Sequence, residues 1–184
     1  MPRKCLKLLK LSKISCKGVK AMADFVFEKS GIDDLDSLVG LRIAYLLEDY
    51  GTIPQEKLTK ISEKLPVYFR KHLNNDLFIY TAKSENEIVS CCFLIVTEKP
   101  SNLSFINGVV GTVMNVYTTP EYRRKGLAGK LLKMLLADSE KMGLDYVELK
   151  ATDSGYNLYK SIGFKDAVSK YHSMKIVINS DNKL

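Results

Sequence analysis

No stretch of this sequence approaches the ~18 consecutive apolar residues that a membrane-spanning helix needs, so no transmembrane segment is expected. Metal-binding and redox spacings are missing as well. The four cysteines (Cys5, Cys16, Cys91, Cys92) form no C-x-x-C pair and have no histidine at ligand spacing. That points away from a metal centre and toward buried free thiols in a reducing, cytoplasmic setting. The patterns G-x-x-x-x-G-K-[ST] and G-x-G-x-x-G are also absent, which disfavours a nucleoside triphosphate or NAD site. Nor is there an internal repeat, a linker or a low-complexity tract. A chain of 184 residues therefore reads as one ordinary domain rather than two.

Acidic residues are lacking from the first twenty-one positions, which hold Arg3, Lys4, Lys7, Lys10, Lys13, Lys17 and Lys20. The +7 net charge of the chain lies entirely there; from Met22 onward 21 basic residues face 21 acidic ones. A basic nucleic-acid face on the domain is not implied. Leucines between the lysines would suit a targeting or membrane-surface helix, or a basic arm. A secretory signal fits poorly, because lysines interrupt every apolar stretch. The expectation is an extension at 1–21 outside the fold, a domain at 22–184, and neither nucleic acid nor membrane as partner.

Within the domain, apolar periodicity predicts a strand at Asp24–Lys29 and a helix from Asp33 to about Gly51. A second helix should start at Pro54 and be kinked or broken at Pro66. Strands at Leu77–Ala82 and Glu87–Thr97 flank a polar turn, and a third covers Gly111–Thr118. The clearest helix spans Gly126–Met142, stopped by Gly143. A strand at Tyr146–Ala151, a helix at Ser154–Ile162 and a last strand at Met174–Ile178 follow. This order predicts an α/β domain with a mixed, mostly antiparallel sheet, one parallel pair and helices on both faces.

Between the third strand and the clearest helix lies Pro120-Glu121-Tyr122-Arg123-Arg124-Lys125-Gly126-Leu127-Ala128-Gly129-Lys130. The first turn of a helix leaves about four N–H groups without intrahelical partners, and with the dipole they form an anion site. Gly126, Ala128 and Gly129 would let phosphate oxygens reach the backbone. Arg123, Arg124, Lys125 and Lys130 add positive charge, though spacing alone does not say which touches phosphate. The same glycines could equally serve tight helix–strand packing.

Arg123-x-x-Gly126-x-Ala128 after a strand, followed downstream by Leu158-Tyr159-x-x-x-Gly163-Phe164, resembles the acetyl-CoA site of the GNAT N-acetyltransferase superfamily. Asp33, Leu38, Leu41 and Arg42 look like the opening helix of that family. The resemblance covers Met22 to about Ile178. It implies a splayed parallel strand pair with the pantetheine arm of acetyl-CoA in the gap, paired to backbone at Val116 and Thr118 beside Tyr117. Amides from Arg124 to Gly129, with Leu127 among them, would hold the pyrophosphate. Tyr159 matches the usual general acid, and Glu148 stands where some relatives carry a base. Many relatives place an asparagine about seven residues before the tyrosine; Thr152 or Asp153 stands near that place here.

Asn115 and Tyr117 share a strand face and are expected to shape an acceptor pocket, while His72 and His172 read as structural. The implied function is transfer of an acetyl group from acetyl-CoA to a primary amine, on a small molecule or a protein, by direct attack. No nucleophile-and-base pair suggests a covalent enzyme intermediate. A non-catalytic acyl-CoA-binding module is the alternative, and a homodimer is compatible with the sequence.

Overall fold

The computed structural model describes residues 24–178. The lysine-rich segment and the boundary expected at Met22 lie outside the described residues. One sheet carries five strands in chain order: β1 (Val26–Lys29), β2 (Leu77–Ser84), β3 (Glu87–Glu98), β4 (Val109–Thr118) and β5 (Tyr146–Leu149). Neighbours from β1 to β4 pair antiparallel, and β4 pairs β5 in parallel. The parallel step needs a crossover, supplied by α3 (Leu127–Lys141). Helices α1 (Leu35–Tyr50) and α2 (Gln55–His72) join β1 to β2, and α4 (Asp153–Ile162) follows β5.

Each face of the sheet has its own core. Leu38 and Leu41 of α1 and Phe69 of α2 pack on Leu77, Ile79, Cys91 and Phe93. On the other face Leu131, Leu132 and Leu135 of α3 pack on Tyr80, Ala82, Cys92 and Leu94. Consecutive strand residues point to opposite faces, so the adjacent thiols Cys91 and Cys92 end up in different cores, both fully buried. Burying a leucine side chain is worth roughly 1.5–3 kcal/mol, and these layers fix where β4 and the start of α3 lie.

Three local expectations are corrected. Helix α2 runs unbroken through Pro66. A helix-interior proline costs about 3 kcal/mol, and here burial of Phe69 against Phe93 one turn later, with ring centroids 5.8 Å apart, offsets it. The β2–β3 turn is only Glu85 and Asn86, both at positive φ (50° and 71°), the mirror-image geometry that matches strand twist. Finally, the strand expected at Met174–Ile178 does not form. Among the described residues those positions pair with no strand, and Met174, Ile176 and Ile178 are exposed, so β5 is the described edge of the sheet.

Candidate active site

The parallel ladder between β4 and β5 stops at Val113↔Leu149, yet β4 runs on to Thr118. Among the described residues, the side of β4 that faced β5 is therefore unpaired for its last five residues. On its other side β4 carries a bulge. Phe93 pairs with Met114 and Cys91 with Tyr117, so Asn115 and Val116 together oppose Cys92 alone. Asn115 takes φ 51°, a left-handed value that asparagine tolerates better than most residues. The extra residue shifts the alternation: Val113 and Val116 both meet the α3 core, while Tyr117 joins the α1 core.

Past Thr118, a short 3-10 turn at Pro120–Tyr122 leads into Arg123, Arg124, Lys125 and Gly126. Arg124 (φ 61°) and Gly126 (φ 78°) are both left-handed. Left-handed residues in such a loop aim successive N–H groups inward, the geometry of an anion nest. Gly126 caps α3 without any side-chain hydrogen bond to the first turn, and the first N–H to find a helical partner is that of Lys130, on the Gly126 carbonyl at 3.1 Å. The N–H groups of Leu127, Ala128 and Gly129 thus lie at an uncapped, positive helix end. A Cβ built on Gly126 meets nothing within 4 Å, so the space above the loop is open.

These parts enclose one cleft of about 710 Å³, lined by Val116, Tyr117, Thr118, Arg123, Arg124, Gly126, Leu127, Ala128, Gly129, Thr152 and Tyr159. That size suits a small-molecule site. Thr152 caps α4, its Oγ1 accepting from the Gly155 N–H at 3.3 Å. Tyr159 lies one turn beyond Gly155, where a Cβ would come within 2.8 Å of the tyrosine ring. Its hydroxyl makes no hydrogen bond to a described residue. Burial, with smaller contributions from Tyr45 and Cys92, pushes the Tyr159 phenol up to about 12, so it is protonated at neutral pH.

Four sequence-predicted residues stand apart from the cleft. The Lys125 ammonium sits over the Tyr122 ring, 4.5 Å from its centroid, and that of Lys130 over Phe27 at 3.7 Å. Glu148 is exposed and lines a separate groove along β5, which touches the cleft only through the shared Tyr159. Asn115 is 3 % exposed; its Oδ1 accepts from Arg42 at 3.0 Å and its Nδ2 donates to the Cys91 Sγ at 3.4 Å. Its side chain is thereby engaged in the core rather than in the cleft. Conversely, Tyr45, Glu48 and Asp49 of α1 form a wall of the cleft. Their signal was faint, a polar cluster ending an otherwise apolar helix. Among the described residues no three His, Cys, Asp or Glu side chains gather as a metal site would require.

Residues 75–166 match the family model described as acetyltransferase (GNAT) domain, half of the chain. The fold is similar to that of a predicted acetyltransferase of Clostridium acetobutylicum solved with acetyl-CoA (TM-score 0.72, 25% identity, 83% of this chain and 96% of that one). It is also similar to a GCN5-related N-acetyltransferase of Ralstonia eutropha (TM-score 0.71, 21% identity, 83% and 99%). A third likeness is to glucosamine-6-phosphate N-acetyltransferase of Arabidopsis thaliana (TM-score 0.61, 19% identity, 85% and 99%). No curated protein matches the chain in sequence.

Proposed function

The chain belongs to the GNAT acetyltransferase family, and from that premise we propose that it transfers an acetyl group from acetyl-CoA to a primary amine by direct attack. The observation that carries this reading is the pairing of a left-handed loop with an uncapped helix end beside a strand whose edge is open. Pyrophosphate is a dianionic group that such a cradle suits. Backbone at Val116 and Thr118 takes the pantetheine arm, and amides from Arg124 to Gly129 take the phosphates. An N–H near Val116 donates to the thioester carbonyl, where negative charge develops as the amine attacks.

The amine nitrogen forms a bond to the carbonyl carbon, the carbon–sulfur bond breaks, and the sulfur departs as a thiolate. Tyr159, protonated and with its hydroxyl making no hydrogen bond to a described residue, donates to that sulfur. A phenol near 12 is a weaker acid than a thiol of about 8.5, so its part is chiefly a hydrogen bond to the departing sulfur. The ammonium proton leaves to solvent through the open cleft, and Glu148, on a different groove, is given no step. Direct attack is supported by the thiols: burial pushes Cys91 up to about 12 and Cys92 well above its ordinary value, so neither supplies a nucleophile.

Calorimetric titration of acetyl-CoA into the full chain tests the reading. The wild type should bind, and Gly126→Glu, which puts an anion over the loop, should abolish binding while circular dichroism shows an unchanged fold. A wild type that binds nothing, or a variant that binds equally well, sinks the proposal. With an acceptor in hand, Tyr159→Phe should lower kcat about a hundredfold.

A further inference from the structure

The cleft has a second wall that the loop motif does not announce. Three residues of α1, spaced by three along one face, reach β4 and its loop at successive points. The Arg42 guanidinium donates to Asn115 in the bulge at 3.0 Å. The Tyr45 ring meets Tyr117 edge-on, with centroids 6.4 Å apart. Glu48, a turn further, forms an ion pair with Arg123 in the loop. Residues at such spacing share a helix face, so α1 lies along β4 as one continuous contact.

Arg123 is the first residue of the loop motif and the obvious cation for phosphate. Its guanidinium is already committed. Nε donates to the Thr118 carbonyl at 2.9 Å, Nη2 pairs with Glu48, and the group lies over the Tyr117 ring, 5.8 Å from the centroid. One side chain thus ties the end of β4, the helix α1 and the loop at the residue just before left-handed Arg124. Arg124 lines the same cleft and has no ion pair among the described residues.

We propose that Arg123 is a positioning residue with Glu48 as its partner: together they hold the loop so that the Arg124–Gly129 amides face the cleft, while Arg124 supplies the cationic side chain. This rests on reading the cleft as the acyl-CoA site. The two roles of Arg123 differ in sign. If Arg123 bound phosphate, Glu48 would compete for its charge, and removing Glu48 would tighten binding. If Arg123 positions the loop, removing Glu48 loosens it and weakens binding by preorganisation lost. The pair is partly solvent-exposed, with side chains 40 % and 51 % accessible, so its effect is modest, about three- to fivefold in affinity.

The test is a double-mutant cycle read by calorimetry with acetyl-CoA: wild type, Glu48→Ala, Arg123→Ala and the double variant. Glu48→Ala should weaken binding about three- to fivefold, and the double variant should bind no worse than Arg123→Ala alone. Both sites are partly exposed, and thermal unfolding of each variant checks that the fold persists. Tighter or unchanged binding by Glu48→Ala, with wild type binding normally, overturns the positioning role alone. A wild type that fails to bind acetyl-CoA removes the proposed function and this inference with it.

Discussion

At the scale of single residues, the site depends on two backbone conformations that side chains resist. Gly126 adopts φ 78° without steric penalty, but Arg124 adopts φ 61° with a Cβ in place. Left-handed backbone costs a non-glycine residue about 1 kcal/mol, and more if it is β-branched. Arg124→Val should therefore destabilise the fold by roughly 1–2 kcal/mol, whereas Arg124→Gly should leave it within about 0.5 kcal/mol. In the glycine variant, relief of strain offsets the added freedom of the unfolded chain. Urea midpoints for the two variants measure the difference, and equal loss in both would show that the left-handed conformation carries no cost. The R-x-x-G pattern made Gly126 legible in the sequence as the glycine that opens α3. Nothing in the sequence at Arg124 announces a positive φ; in the structure it sits between Arg123, which is tied to Thr118 and Glu48, and the start of α3.

At the scale of elements, alternation and helical spacing were enough to read the strands β2 to β5 and the helices α1, α3 and α4 to within one or two residues, and to place α2, though not its unbroken run through Pro66. What escaped the pattern was the bulge. One extra residue at Asn115 and Val116 leaves period-2 alternation locally plausible on either side, and only pairing with β3 shows that two residues oppose one. Lys125 and Lys130 were assembled into the site by proximity in sequence, and Glu148 by its resemblance to a base in some relatives; the two lysines sit over the rings of Tyr122 and Phe27, and Glu148 lines a separate groove along β5. The short helix α4 offers a test of how an element aims a side chain. Gly155 leaves room for the Tyr159 ring one turn on, since an added Cβ would stand 2.8 Å from Cε2 and 3.3 Å from Cζ. Alanine in a helix is favoured over glycine by about 1 kcal/mol, so Gly155→Ala should keep the thermal midpoint within a few degrees. The ring, however, must tilt away. The expected result is a kcat loss at least half as large, on a logarithmic scale, as that of Tyr159→Phe. Full activity in Gly155→Ala would mean that the ring position is not critical to transfer.

At the scale of the whole molecule, two cores on opposite faces of one sheet bury ionisable groups that do not line the cleft, and these decide how the fold responds to alkali. Burial pushes Cys91 up to about 12, Cys92 well above its usual range, and Tyr80 in the same direction, the last reinforced by Asp138. A group whose folded pKa exceeds its unfolded one keeps its proton in the native state while the unfolded chain has released it. Its contribution to stability is complete below the unfolded pKa and is lost as pH rises toward the folded value. For the thiols that loss begins near pH 8.5–9, and for the tyrosines near pH 10. Each fully buried thiol should then subtract about 1.4 kcal/mol per pH unit. Because unfolded thiols are still only partly ionised at pH 9, the two together remove about 2 kcal/mol between pH 9 and pH 10, a sizeable fraction of a typical domain's 5–15 kcal/mol. Urea midpoints measured from pH 7.5 to 10.5 should therefore be flat at first and fall steeply above about pH 9. Cys91→Ala/Cys92→Ala should start lower at neutral pH, because each truncation leaves a small void. Its midpoint should then stay level until the tyrosines begin to titrate. If the double variant declines as early and as steeply as the wild type, the alkaline weakness lies in surface charge and not in the paired thiols that β3 places back to back.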